Sequence, residues 1–167
     1  MIRQAASQDL TTITAIASRA TRLMNAEGSD QWDETYPTAE HFENDIAQGS
    51  LFIKEEAGTI LGMIAVDRNL APEFKDVLWE TADALAATFH RLAVDPKARK
   101  SGLASELIGF AESFAIEQGL RSMKIDTYSL NEKAQALFAR LDYHKVGEMF
   151  YEGRKLPFYC YEKKLTV

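Results

Sequence analysis

With 167 residues, 46% of them hydrophobic and 26% charged, the chain has the bulk and composition of one ordinary globular domain with a proper core. Its formal charge of −6 opposes the phosphate attraction that dominates nucleic-acid affinity, so no polynucleotide partner is expected. The apolar runs are short and broken by charges, which argues against a membrane span, and one cysteine, Cys160, permits no internal disulfide.

A lone cysteine suits a reducing compartment, and Met1–Ser7 has no secretory-type apolar stretch, so a cytoplasmic setting is expected. His41, His90, His144 and Cys160 show no ligand spacing, and no metal is expected. No repeat, low-complexity tract or linker divides residues 1–167, which read as a single domain.

In chain order, residues 2–6 read as a short strand. Asp9 opens a helix on which Leu10, Ile13, Ala17, Ala20 and Met24 follow helical spacing. Residues 25–37 read as a polar loop holding Trp32 and Tyr36. Thr38 suits the N-cap of a second helix that carries Phe42 and Ile46 and stops near Gly49. Strands Leu51–Glu55 and Thr59–Asp67 form a hairpin across Glu56-Ala57-Gly58. An acidic connection from Arg68 to Leu85, with Pro72 and Trp79, has room for a short helix. A strong strand, Thr88–Val94, ends at Asp95-Pro96. A helix from Gly102 to Gln118 follows, with Gly119 suited to its left-handed cap. Strand Ser122–Thr127, helix Asn131–Leu141, and strands 144–151 and 158–165 complete the chain. The order is mixed α/β, with a central strand–helix–strand crossover between parallel neighbours and antiparallel hairpins on both sides.

Chemistry concentrates where the strong strand turns into its helix, at Asp95-Pro96-Lys97-Ala98-Arg99-Lys100-Ser101-Gly102-Leu103-Ala104-Ser105. The first N–H groups of a helix lack internal partners, and with the positive end of the helix dipole they make an anion site. Gly102 and Ala104 keep side chains out of the way of a diphosphate, and Lys97, Arg99 and Lys100 add positive charge.

Arg99-x-x-Gly102-x-Ala104, placed after Leu92-Ala93-Val94, resembles the pyrophosphate loop of the GNAT N-acetyltransferase superfamily. Asn131-x-x-Ala134-x-x-Leu137-Phe138, closed by Tyr143, resembles that family's later helix. The element order fits from residue 2 to about 165, nearly the whole chain. The resemblance implies a mixed, mostly antiparallel sheet of about seven strands, with a central parallel β-α-β unit and helices on both faces. It implies an acyltransferase that uses acetyl-CoA, without a metal, to acetylate a primary amine of a small molecule or peptide by direct attack. Leu92, Ala93 and Val94 would pair with pantetheine through their backbone, as an added strand. In the family this strand is bulged and splays from its parallel neighbour. Backbone groups of Arg99, Lys100, Ser101, Gly102, Leu103, Ala104 and Ser105 would hold the pyrophosphate, and Asn131 the pantetheine arm. The alternative for Asn131 is a helix-start residue alone, since Ser129-x-x-Glu132 has capping-box spacing by itself, but the second matching segment favours the cofactor contact. A backbone N–H near Val94 would meet the developing oxyanion.

Phe138 stands where the family commonly carries a tyrosine credited with protonating the departing thiolate, and phenylalanine has no proton to give. Water, Tyr128 or Tyr143 would have to serve. Thr88 stands nearest to the family's usual glutamate. His90 is the best-placed substitute base, because histidine is the side chain that changes charge near neutral pH. On an alternating strand Thr88, His90, Leu92 and Val94 share a face. Trp32, Tyr36, Trp79 and Tyr128 are the candidate acceptor contacts, with plain packing as the alternative at each. The departure at Phe138 also supports a rival, a non-catalytic acetyl-CoA-binding sensor or scaffold. A dinucleotide enzyme lacks the three-glycine spacing it would need. Oligomeric state stays open, with a homodimer frequent in families of this kind.

Overall fold

A computed structural model of the protein describes residues 1–98 and 100–166. Its elements are β1 (Ile2–Gln4), α1 (Leu10–Ala26), α2 (Ala39–Ala47), β2 (Leu51–Glu56), β3 (Thr59–Asp67), β4 (Ala86–Val94), α3 (Leu103–Glu117), β5 (Ser122–Tyr128), α4 (Glu132–Arg140), β6 (His144–Met149) and β7 (Phe158–Lys164). Short 3-10 turns at Ser7–Asp9, Pro72–Asp76 and Asp83–Leu85 punctuate them. The sheet order is β1-β2-β3-β4-β5-β7-β6, parallel at β4/β5 and antiparallel at β1/β2, β2/β3, β5/β7 and β6/β7. This is the mixed, mostly antiparallel seven-stranded sheet that the resemblance implied.

By contacts the described residues form two compact units, Met1–Val66 with His90–Ala111, and Asp67–Phe89 with Glu112–Val167. In the first unit, β2 and β3 form a hairpin whose turn residues, Ala57 and Gly58, take φ of 50° and 79°. Positive φ at both centres matches the right-handed strand twist. One face of the hairpin buries Leu51, Ile53, Met63 and Ala65 against Ile13, Ile16 and Ala17 of α1 and Phe42 of α2. The alternate face sets Phe52 against Phe110 of α3, ring centroids 4.8 Å apart. Helices therefore cover both faces, as period-2 alternation between two apolar surfaces requires. Each fully buried aliphatic side chain contributes roughly 1.5–3 kcal/mol relative to exposure. Thr38 caps α2 as expected, and its N–H donates to Nδ1 of His41 at 2.9 Å.

In the second unit, β5 and β7 pair along their whole length, from Ser122↔Lys164 to Tyr128↔Phe158. β5 also pairs with the start of β4, Ala86 with Ser122 and Ala87 with Met123. One face gathers Phe89, Phe138, Tyr143 and Tyr161 in edge-on ring contacts. The other carries Tyr128, Phe158 and Cys160, covered by Phe74 and Val77 from the connection before β4. That connection is pinned by buried charge. The Glu162 carboxylate accepts from the N–H groups of Glu80 (2.8 Å) and Thr81 (3.2 Å) and from the Ser122 hydroxyl (2.7 Å). Lys124 donates to the Thr81 carbonyl and to Asp83 Oδ1. Burial pushes the Glu162 carboxyl up, but these donors and the Lys124 charge outweigh it and hold it below the usual carboxylate range.

Three sequence expectations shift. β4 begins at Ala86, because Ala86 and Ala87 join the parallel ladder although alanine is a poor strand former. α1 runs through Asn25 to Ala26, taking the first residues of the expected loop. The cap of α4 is Asn131, whose Oδ1 accepts from Ala134 N–H at 3.1 Å. Ser129, with the capping-box spacing, lies in the preceding turn, where the Asn131 N–H donates to the Tyr128 carbonyl at 2.9 Å. Gly119 does take the left-handed cap, at φ 80°, with Leu120 N–H reaching back to the Ala115 carbonyl.

Two predictions follow from the packing. A Cβ at Gly62 would lie 2.8 Å from the Ala93 carbonyl oxygen and 3.2 Å from Leu107 Cδ1. Gly62→Ala is expected to lose about 1–3 kcal/mol in urea denaturation, and parental stability would show that the strands separate freely. Because the Glu162 pKa is depressed by folding, the stability it adds is fully present above its unfolded value, about 4.3, and is lost as pH falls through the lower folded value. Glu162→Ala should therefore cost about 1–3 kcal/mol at pH 7. Its deficit should shrink toward pH 3 in denaturation curves taken across that range.

Candidate active site

The end of β4 is built around Asp95. Its N–H donates to the Leu61 carbonyl at 2.8 Å, continuing the pairing with β3. Its carboxylate takes a two-pronged contact from Arg19 of α1, Nε–Oδ1 3.0 Å and Nη2–Oδ2 2.8 Å, and a third bond from the Lys97 N–H at 3.0 Å. The Asp95 carbonyl accepts from Ala98 N–H, closing the turn. The Arg19 contact holds the Asp95 carboxyl below the usual range. A strand end that sequence shows only as Asp-Pro is thus a fixed corner, tied to β3 and α1.

The chain then rises into α3 through Gly102, at φ 81°. This is the left-handed region that glycine enters without penalty. An added Cβ would meet nothing within 4 Å, so the backbone conformation, and not lack of room, calls for glycine there. Glu106 N–H donates to the Gly102 carbonyl at 3.0 Å, which makes Gly102 the residue at the helix start. The next N–H groups, of Leu103, Ala104 and Ser105, have no acceptor within the helix. Leu103 is buried and anchors the first turn. Ser101 and Gly102 are exposed, and Ala104 and Ser105 are half-buried. Lys100 forms an exposed ion pair with Glu56, and Lys54 pairs with Glu106 at 2.6 Å. The exposed Lys100–Glu56 pair contributes little stability, but both pairs keep cationic groups beside the turn, the Lys54 side chain being itself buried. Arg99, the first fixed position of the motif, lies outside the described residues.

Upstream, Arg91 takes φ 48° in the middle of β4, an uncommon conformation for a non-glycine residue. It breaks strict alternation, so Thr88 and His90 do not continue by simple counting into the face of Leu92 and Val94. His90, Leu92 and Val94 are half-buried, and Ala93 is buried in the α1/α2 core. The Arg91 side chain closes on Asp45 of α2, with Nε–Oδ2 and Nη2–Oδ1 both 2.6 Å, and its Nη1 donates to the Tyr36 hydroxyl at 2.9 Å. Sequence reasoning passed over both ions. The available signals were an arginine inside an apolar strand pattern and an aspartate on the inner side of α2.

The expected acceptor residues fall in different surroundings. Trp32 is 5% exposed, within the first unit's core. Tyr36 is half-buried, its ring edge-on to His41 at 4.8 Å. In the second unit Trp79 is half-buried and donates from Nε1 to the Phe74 carbonyl at 2.8 Å. Tyr128 is 4% exposed, its ring 4.8 Å from that of Phe158. Phe138 is buried among Phe89, Tyr143 and Tyr161. Tyr143, one of the substitutes for a proton donor, donates a hydrogen bond from its hydroxyl to Glu112 Oε2 at 2.7 Å. Burial and the Glu112 charge push its pKa up. Among the described residues no helix is long and apolar enough to cross a membrane, and no group of three or more His, Cys, Asp or Glu could hold a metal.

Comparison with known proteins completes the picture. Residues 17–143 match the model of the Acetyltransferase (GNAT) family. A candidate acetyltransferase of Staphylococcus aureus Mu50 is 33% identical, with 99% of each chain covered and a TM-score of 0.78. A GNAT-family acetyltransferase of Streptococcus agalactiae, 24% identical over 100% of this chain and 96% of its own, superposes with a TM-score of 0.85. The fold is also that of a Salmonella typhimurium protein solved with acetyl-CoA, 17% identical over 100% of this chain and 94% of its own, TM-score 0.70. No curated protein matches the sequence. The family model covers three-quarters of the residues, and the Staphylococcus aureus protein is a third identical end to end: the chain belongs to the GNAT acetyltransferase family, enzymes whose general reaction is acetyl transfer from acetyl-CoA.

Proposed function

We propose that this enzyme is an N-acetyltransferase, acting as one domain, that acetylates a primary amine of a small molecule or peptide by direct attack within a ternary complex. The observation that carries this reading is the turn into α3. Gly102 in the left-handed region opens a helix start whose N–H groups have no internal acceptor, behind a corner held by Asp95 and Arg19. A diphosphate fits such a place, since anions are favoured at helix N-termini and no side chain stands over Gly102. In this proposal backbone groups of Lys100–Ser105 hold the diphosphate, Leu92–Val94 bind the pantetheine arm as an added strand, and Asn131 is carried over from the resemblance as a further contact.

Acetyl-CoA, when bound, supplies an acyl thioester, and a thiol of pKa about 8.5 is a tolerable leaving group near neutral pH. The Val94 N–H is the proposed donor to the carbonyl oxygen. An alkyl amine of pKa about 10.4 arrives mostly protonated, and His90 is the proposed acceptor of its proton, directly or through water. Phe138 has no proton to give, Tyr143 donates to Glu112, and Tyr128 is buried against Phe158, so in this proposal proton return to the thiolate falls to water. Of the aromatic candidates for acceptor contact, Tyr36 and Trp79 keep accessible surface, whereas Trp32 and Tyr128 would reach an acceptor only after rearrangement. The reading therefore favours Tyr36 and Trp79. A binding module without catalysis is the second reading, and buried Phe138 in the tyrosine position is what favours it.

Thiol release from acetyl-CoA, followed across polyamines, aminoglycosides, amino acids and peptides, separates the two. Acceptor-dependent release is expected, and His90→Ala should lower kcat about 10²-fold or more while leaving the affinity for coenzyme A alone. Tight binding with no acceptor-dependent release would leave the module, and unchanged turnover would remove His90 from the mechanism. Gly102→Asp places a strained side chain and a negative charge at the phosphate position. It should weaken coenzyme A binding by about 100-fold, near 2.7 kcal/mol, in calorimetry on a variant shown to be folded by circular dichroism.

A further inference from the structure

The Arg91 cluster is not accounted for by the steps above. Three separate parts of the first unit meet at one guanidinium: β4 through Arg91 itself, α2 through Asp45, and the α1–α2 connection through Tyr36. The two ionic side chains are 11% and 8% exposed. A buried ion pair is about break-even against a well-packed apolar pair, and a non-glycine residue in the left-handed region is itself unfavourable. Stability alone therefore gives no reason for placing an arginine at φ 48° in the middle of a strand. Geometry does. A planar fork held at both prongs, with a third donor fixed on a phenol, leaves the residue one position and one orientation. The peptide groups on either side of Arg91 are aimed by that constraint. The next residues along, Leu92, Ala93 and Val94, are those assigned to the pantetheine arm.

We infer that Arg91 is a positioning residue: clamped by Asp45 and Tyr36, it holds the kink in β4 that presents the backbone of Leu92–Val94 to the pantetheine arm of coenzyme A. The inference rests on the acetyl-CoA reading of the preceding subsection. It also separates two parts of one binding site. The diphosphate turn beyond Asp95 has its own anchor in Arg19 and, among the described residues, shares no hydrogen bond with the Arg91 clamp. Loosening the clamp should weaken recognition of the arm and spare that of the diphosphate.

Two probes resolve this in calorimetry on the full chain: ADP, which carries a diphosphate without the arm, and coenzyme A, which carries both. Arg91→Lys keeps the charge and removes the fork, and Tyr36→Phe keeps the ring and removes the phenol oxygen. The dissociation constant for coenzyme A is expected to rise about ten-fold in Arg91→Lys and about three-fold in Tyr36→Phe. That for ADP should stay within about two-fold of the parent. A merely structural role would weaken both probes together or neither, and either result overturns the inference. Should Arg91→Lys melt far below the parent, Tyr36→Phe carries the decision, since it leaves the ion pair intact. If neither probe binds the parent protein, the acetyl-CoA reading has failed and the inference falls with it. Binding of both by the parent, with equal losses in the variants, sinks the inference alone.

Discussion

The corner at Asp95 is the constraint on which the turn into α3, and with it the proposed cofactor site, depends. A strand that has just left the sheet would ordinarily fray, because its carbonyl and amide groups lose their partners. Here the Asp95 N–H still reaches β3 through Leu61, and the carboxylate binds both Arg19 and the Lys97 amide. Those donors hold the carboxyl below its ordinary range, favouring the charged form that binds Arg19. The Gly102 turn starts from that fixed point, and a helix start is useful as an anion site only if its N–H groups are aimed consistently. An otherwise acidic chain thus acquires a locally electropositive turn from backbone geometry more than from net charge.

The same economy appears along β4. Its first half is ordinary sheet, buried on both sides and paired in parallel with β5 at Ala86 and Ala87. Its second half carries the left-handed Arg91 and is half-buried at His90, Leu92 and Val94. The change in character within nine residues has a physical cause: a strand with an αL residue must turn its following peptides, and buried partners must hold it there. Asp45 and Tyr36 are those partners. The charged clusters of the second unit do a different task. Glu162, Ser122, Lys124 and Asp83 tie down a connection that has no regular ladder of its own, and they satisfy the polar groups such a segment would otherwise bury unpaired.

The chemistry the family performs asks less of side chains than many transfers do. A thioester carries its own good leaving group, so positioning and backbone donors can supply much of the acceleration. This makes a phenylalanine at position 138 compatible with turnover. Phe138 packs edge-on against Phe89 and Tyr161, which secures α4 to its sheet. Tyr143, which might have been thought to compensate, is committed to Glu112, itself bound by Lys163. In the proposed reaction the demand for proton transfer falls on the acceptor side, and His90, half-buried in β4, is the residue proposed to meet it.

Periodicity and punctuation in the sequence were enough to place every helix and strand within a few residues. Apolar spacing of 3.6 or 2 is imposed locally, and Gly102, Gly119 and Thr38 act at their own positions. The turn into α3, proposed above to hold a diphosphate, could be picked out for the same reason, being a contiguous run around a glycine that takes a positive φ. Short-range competition was harder to read: Ser129 had the spacing of a cap, yet Asn131 took the role. What only the tertiary structure decided were relations between residues distant in the chain. Arg19 lies 76 residues from the Asp95 it holds, and Arg91 lies 46 from Asp45 and 55 from Tyr36. No periodicity encodes such a pairing, because a hydrogen bond depends on where two side chains arrive after the core has packed, and not on their spacing along the chain.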